Sequence, residues 1–297
     1  MPSEQHQQVV ALLRELAAQA PDLPSYEEAR ASLEASGAIF PVPEDVEVQP
    51  FEVDGIPCER SHPSGADAAD LLLYLHGGSY TAGSLASHRS LVARLARACG
   101  RDAVAVDYRL APEHPHPAGL DDAGTVYRRL VDDGTDPARI VVAGDSAGGG
   151  LVTALLLRLR DEGALLPAGA VLLSPWLDLT LTAAAITEKA AADPMLRATS
   201  LARSAADYAG DDLRRPLVSP VLADLAGLPP LLVLVGTAEI LLDDSLTFAS
   251  RAREAGVSVD LQVEEGLVHV WPFLDGVPEA ADALERISSW VAVRTGS

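Results

Sequence analysis

A serine between glycines, at the junction of a strand and a helix, is the strongest chemical signal in this 297-residue chain. The stretch is Gly144-Asp145-Ser146-Ala147-Gly148-Gly149. The apolar run 139–143 predicts a buried strand before it, and 150–158 predicts a helix after it. Ser146 therefore stands at a sharp turn of Gly-x-Ser-x-Gly pattern. Its hydroxyl is held clear of the backbone, beside a helix N-terminus whose amides favour negative charge. The Ala147 amide is placed to meet an oxyanion. A Gly-rich turn without chemistry is the plain alternative. A phosphate-cradling loop does not fit, because no Gly-Lys-Ser/Thr follows and Lys189 is the only lysine.

A serine hydroxyl needs a base, the base needs an orienting acid, and the reaction needs an oxyanion hole. After the third expected strand comes His76-Gly77-Gly78-Ser79-Tyr80. Its paired glycines let the amides of Gly77 and Gly78 turn toward a reacting carbonyl, with the Ser79 amide as a substitute for one of them. His76 precedes this loop and reads as a structural hydrogen-bonder. Of seven histidines, only His269 follows the last expected strand, which gives the order serine, acid, histidine. His114 and His116 lie among prolines and read as structural. The acid belongs after the seventh strand, in Gly236-Thr237-Ala238-Glu239-Ile240-Leu241-Leu242-Asp243-Asp244. Glu239 lies close to the strand end, whereas Asp243 and Asp244 could cap the next helix.

These residues must be carried by a sheet. Residues 46–53 alternate at period two, Asp54-Gly55 predicts a hairpin turn, and 56–60 returns. Apolar runs at 71–75, 103–106, 139–143, 170–173 and 231–235, with the alternating run 257–263, bring the count to eight strands, the first two antiparallel. Helices are expected at 5–20, with Val9, Leu12, Leu13 and Leu16 on one buried face, and at 25–36 with Ser25 as N-cap. Others are expected from an N-cap at Ser87 to Cys99, at 119–132 and at 278–293. Strands this apolar, alternating with helices, predict an α/β fold with a mostly parallel sheet covered on both faces. Residues 180–215 hold no strand; 181–192 and 200–208 read as helices. Such an insertion falls above the C-terminal strand ends, where α/β sheets bind ligands. Residues 1–44 and 180–215 are therefore expected to form a cap over a core of 45–179 and 216–297. Tyr80, Trp176, Tyr208 and Trp271 are candidates either for lining a pocket or for core packing.

The net charge of −21 argues against nucleic acid and against stable association with an anionic membrane. No apolar run spans a bilayer, and the N-terminus lacks the basic-then-apolar order of a secretion signal. A cytoplasmic protein is expected. Its two cysteines, Cys58 and Cys99, are then reduced, and they lack metal-ligand spacing.

The chain resembles the hormone-sensitive lipase family of α/β-hydrolase serine esterases, over most of 45–295. The resemblance rests on His76-Gly77-Gly78, Asp107-Tyr108-Arg109-Leu110-Ala111-Pro112-Glu113, Gly144-Asp145-Ser146-Ala147-Gly148-Gly149, Ser174-Pro175-Trp176 and Val268-His269. Where the family has Asp-Pro-Leu-x-Asp, this chain reads Glu239-Ile240-Leu241-Leu242-Asp243. The register counted back from Ala255-Gly256-Val257 puts Glu239 at the acid position. The resemblance implies a carboxylesterase acting on small short-acyl esters, with a Ser146–His269–Glu239 triad and no metal or organic cofactor. It also implies a homodimer through the last strand. An amidase, lactonase or deacetylase with the same triad, or an inactive small-molecule receptor on the same fold, are the alternatives these motifs leave open.

Overall fold

A computed structural model of the chain describes residues 1–296, with the side chains of 67 and 68 left aside. The chain opens with helices α1 (Glu4–Gln19) and α2 (Tyr26–Ala38), followed by the hairpin β1 (Val46–Val53) and β2 (Ile56–Pro63). Asp54 and Gly55 both take positive φ, 49° and 82°, as a tight turn matching the strands' twist requires. Then come β3 (Asp67–Leu75), α3 (Leu85–Cys99), β4 (Arg101–Val106), α4 (Ala118–Asp132), β5 (Ile140–Asp145), α5 (Ala147–Asp161) and β6 (Gly169–Leu173). The insertion holds α6 (Ala185–Glu188) and α7 (Ala198–Ala209). Last are β7 (Leu231–Gly236), α8 (Leu242–Glu254), β8 (Val259–Glu264) and α9 (Pro278–Thr295). No helix among the described residues is long and apolar enough to cross a membrane.

The eight strands form one sheet in the order β1-β2-β4-β3-β5-β6-β7-β8. β2 pairs antiparallel with both neighbours, and every other pair is parallel. The apolar strands alternate between two cores. Leu71, Leu73 and Leu75 of β3 join the core under α4, α5 and α8. Leu72 and Tyr74 join the core under α3 and α9. This two-sided burial explains why the strands read as continuous apolar runs. It also places the site. β3 and β5 are neighbours, yet α3 packs on one face and α5 on the other. The loops leaving them diverge at their carboxyl ends, the crevice position at which open α/β sheets bind ligands.

Three local expectations need correction. Leu12 and Leu16 are 54% and 55% exposed. α1 meets the body through His6, Val9, Val10 and Leu13, with its N-cap Ser3 donating to Glu279 of α9, so only half of its apolar face finds a surface. The cap of α3 is Ser84, and Ser87 is the reciprocal member of the capping box, so the helix starts earlier. Residues 181–192 are irregular apart from the single turn α6. Leu181 takes φ 54°, a conformation no helix accommodates, and Pro194 disfavours helix at Asp193.

Phe248 of α8 is fully buried in the first core. Phe248→Ala should lower stability by about 3–5 kcal/mol, read as a lower urea midpoint. A loss under about 1 kcal/mol would show that α8 is not locked to the sheet.

Candidate active site

β5 ends at Asp145 and α5 begins at Ala147, so Ser146 is the entire turn. It takes φ 52°, ψ −122°, a region that costs a non-glycine residue about 1–3 kcal/mol. Hydrogen bonds hold it there: its amide donates to the Leu173 carbonyl at 2.8 Å, and its carbonyl accepts from Trp176 N at 2.9 Å. Gly148 is required by close approach, since a Cβ would lie 2.1 Å from the Leu75 carbonyl oxygen. The elbow is thus pressed against the end of β3, which carries the His76 loop. The side of Ser146 facing solvent is almost closed, at 5% exposure.

His269 lies in the loop after β8 and is 4% exposed. Its Nδ1 donates to Glu239 Oε2 at 2.6 Å, which leaves Nε2 as the nitrogen free of the acid. Glu239 is fully buried, and its other oxygen accepts from Gly236 N and from Ser174 Oγ, both at 2.8 Å. Ser174 Oγ accepts in turn from Val270 N at 3.0 Å. One hydroxyl therefore joins the end of β6 to both the acid and the histidine loop. Burial pulls the His269 pKa down, but Glu239, by charge and hydrogen bond, with Asp193 and Asp145 behind it, holds it above the ordinary imidazole value.

Asp243 and Asp244 do other work. Neither caps α8, whose N-terminus has no side-chain cap. Asp243 accepts from Ala185 N at 2.8 Å, tying α8 to the insertion. Asp244 accepts from the amides of Leu177 and Asp178, both at 2.8 Å, and burial pushes its carboxyl up to about 8.

The loop after β3 holds one departure from the sequence reading. The Gly77 amide donates to Asp145 Oδ1 at 2.9 Å, alongside the Tyr74 hydroxyl at 2.7 Å, so it is committed inside the protein. Gly78, Ser79 and Tyr80 follow with φ 121°, 56° and 63°. Among the described residues, the amides of Gly78, Ser79 and Ala147 donate to no protein acceptor. His76 is structural: it stacks on Tyr108 with 4.3 Å between centroids, and its Nδ1 donates to the Gly77 carbonyl. Burial and the neighbouring His88 push its pKa down to about 3.

The remaining candidates also resolve. Trp176 and Trp271 are fully buried core residues. Tyr80 stacks on Tyr208 of α7 at 3.9 Å, and Thr81 Oγ1 meets Ser204 Oγ at 3.2 Å, so α7 is seated on the loop after β3. His116 supports α7 from below, its amide donating to the Tyr208 carbonyl at 2.8 Å. The Tyr108–Glu113 segment is scaffold: Tyr108 OH donates to the His76 carbonyl, Arg109 forks onto Asp122, and Glu113 accepts Arg30 of α2. Sequence reasoning passed over Ser174 and Asp145 as positioning groups. Both sit at the carboxyl end of a strand beside the site, and that placement was the available signal.

Known proteins share this fold. Residues 72–273 match the model of a family described by the α/β-hydrolase fold. An acetyl-hydrolase of Streptomyces hygroscopicus is 45% identical over 227 residues, 76% of each chain. An esterase of Acinetobacter venetianus is 38% identical, over 85% of this chain and 84% of its own. Among solved structures, a bacterial hormone-sensitive lipase family esterase superposes with a TM-score of 0.95 at 40% identity, covering 99% of both chains. Crystals of the esterase EstE5 soaked with p-nitrophenyl butyrate superpose equally well at 37% identity, over 99% of this chain and 100% of that one. The chain belongs to the α/β-hydrolase family, as a carboxylic ester hydrolase of the hormone-sensitive lipase type.

Ser174→Ala should leave the Val270 amide and one Glu239 oxygen short of a partner. We expect a loss of about 1–3 kcal/mol in denaturant melts. Unchanged stability would show that the hydroxyl is dispensable.

Proposed function

We propose that this enzyme hydrolyses small, short-acyl carboxylic esters through an acyl-enzyme on Ser146. The observation that carries the reading is the buried 2.6 Å contact between His269 Nδ1 and Glu239, beyond the strained turn that lifts Ser146. Ser146 Oγ attacks the ester carbonyl carbon while His269 Nε2 takes the hydroxyl proton. Glu239 keeps the remaining ring proton on Nδ1 and meets the charge of the imidazolium. The carbonyl oxygen becomes an oxyanion, met by the amides of Gly78, Ser79 and Ala147 at the N-terminus of α5. His269 returns the proton to the leaving alkoxide, and the alcohol departs. Water then attacks the acyl group with His269 again as base, which releases the carboxylic acid and restores Ser146.

The helices α1, α2 and α7 act as a cap that limits acyl length. Supporting this, Arg197 and Arg203 of α7 donate to the carbonyls of Pro21 and Pro24 between α1 and α2, and α7 sits on the loop that carries the oxyanion donors. The acetyl-hydrolase relative and the butyrate ester soaked into EstE5 favour a short acyl group. The outer position of β8 supports a homodimer through that edge.

Ser146→Ala should lower turnover of p-nitrophenyl acetate by about a thousandfold or more with the fold intact. A variant keeping a tenth of the rate, as a rough bound, would remove the mechanism. Glu239→Gln should cost about two to four orders of magnitude in kcat, whereas Asp243→Asn should act on stability; the reverse pattern would move the acid to Asp243. An acyl series should peak at acetate to butyrate and fall steeply beyond, with anilide analogues slower.

The pH profile follows from His269, which must be neutral to take the serine proton. Its pKa lies above the ordinary value, so kcat/KM should fall with falling pH through a single ionisation above about 6.5. An acid limb below that point would contradict the carboxylate environment described.

A further inference from the structure

A second buried carboxylate approaches this site, and it comes from the insertion between β6 and β7. Asp193 lies between α6 and α7 and is 8% exposed. Its Oδ1 accepts from the amides of Met195 and Leu196 at 2.8 and 2.9 Å, which shapes the turn leading into α7. Its Oδ2 accepts from Ile240 N at 2.9 Å. Ile240 directly follows Glu239, so the insertion is clipped to the loop that carries the acid.

We infer that Asp193 is a positioning residue for ester hydrolysis, clipping the cap to the acid loop and adding a further negative charge to the surroundings of His269. The inference rests on the Ser146–His269–Glu239 reading. The clip holds the residue after Glu239, so it restrains the carboxylate against the imidazole. Its charge acts on the imidazolium that forms when Ser146 gives up its proton. In a site shielded from water, such a charge is weakly screened and stabilises that cation. The charges facing His269 are Glu239 from the loop after β7, Asp193 from the insertion and Asp145 from the end of β5. Asp193 is the one of the three borne on the insertion that holds α7. A docked cap therefore completes the basicity of the histidine, and a cap that lifts away takes that charge with it.

Three single variants and their pH profiles on p-nitrophenyl acetate test this. Asp193→Asn keeps the size and removes the charge, and its single acceptor oxygen can serve either the Met195 and Leu196 amides or the Ile240 amide. Its acid limb of kcat/KM should move to lower pH, because His269 loses a group that favours protonation, and kcat should fall by roughly threefold or more. Asp193→Glu keeps the charge; its limb should stay near that of the wild type even where the longer side chain lowers kcat. Asp193→Ala should show the shifted limb with a larger loss of kcat, since no acceptor is left for any of the three amides. A limb that does not move in Asp193→Asn, or that moves equally in Asp193→Glu, overturns the inference and leaves a role in folding alone. That outcome is distinct from failure of the triad, which Ser146→Ala reads by itself.

Discussion

A carboxylate with no access to water must have its charge met on every side, and meeting that of Glu239 draws three loops to one point. His269, Gly236 N and Ser174 Oγ supply the donors, from the loop after β8, the end of β7 and the end of β6. Leaving any of them out would strand a buried anion, which costs more than most single contacts return. The loops therefore have little freedom to separate. Val270 N closes the ring by donating to Ser174, so the histidine is gripped from its backbone as well as its ring. Rigidity at the site follows from satisfying one charge.

The same logic works on the opposite side of the crevice. Asp145, also buried, takes the Tyr74 hydroxyl and the Gly77 amide and approaches His88 Nε2 at 3.4 Å. It precedes Ser146 in the chain, so the group that anchors the Gly77–Gly78 turn and the proposed nucleophile are consecutive residues. Committing the Gly77 amide to Asp145 places the turn whose next two amides stay unpaired. Unpaired amides near a helix N-terminus are costly to keep in a resting protein. Here they fall near Ser146 at the turn into α5, where an anion would repay them.

Above the strand ends, the insertion joins the first core through Ile186, Leu201, Ala205 and Tyr208, and polar contacts add fixed points to that burial. Tyr80 on Tyr208, Thr81 with Ser204, Asp243 with Ala185 and Asp193 with Ile240 are discrete contacts, each fixing one point of the insertion. The insertion is thereby tied to the loop after β3, to α8 and to the loop that carries Glu239.

Much of this was legible in residue order. The apolar runs determined five of the eight strands, because strands buried on both faces carry few polar residues; alternation marked β1 and β8, and the Asp-Gly turn marked the return into β2. Gly144, Ser146 and Gly148 marked the elbow, since only that spacing lets a turn pass so close to β3. The position of Glu239 beyond β7, with Asp243 a helical turn further on, pointed to the carboxylate that the structure sets against His269. Other features belong to the tertiary structure alone. That Gly77 is spent on Asp145, that Ser174 joins two loops, and that Leu12 and Leu16 face outward depend on which surfaces meet. Residues 181–192 had helical composition, yet Leu181 takes a left-handed conformation and the amide of Ala185 goes to Asp243. Local pattern records which backbone conformations a segment prefers. Which buried charge meets which donor is decided by elements far apart in the chain, whose spacing only the packed sheet sets.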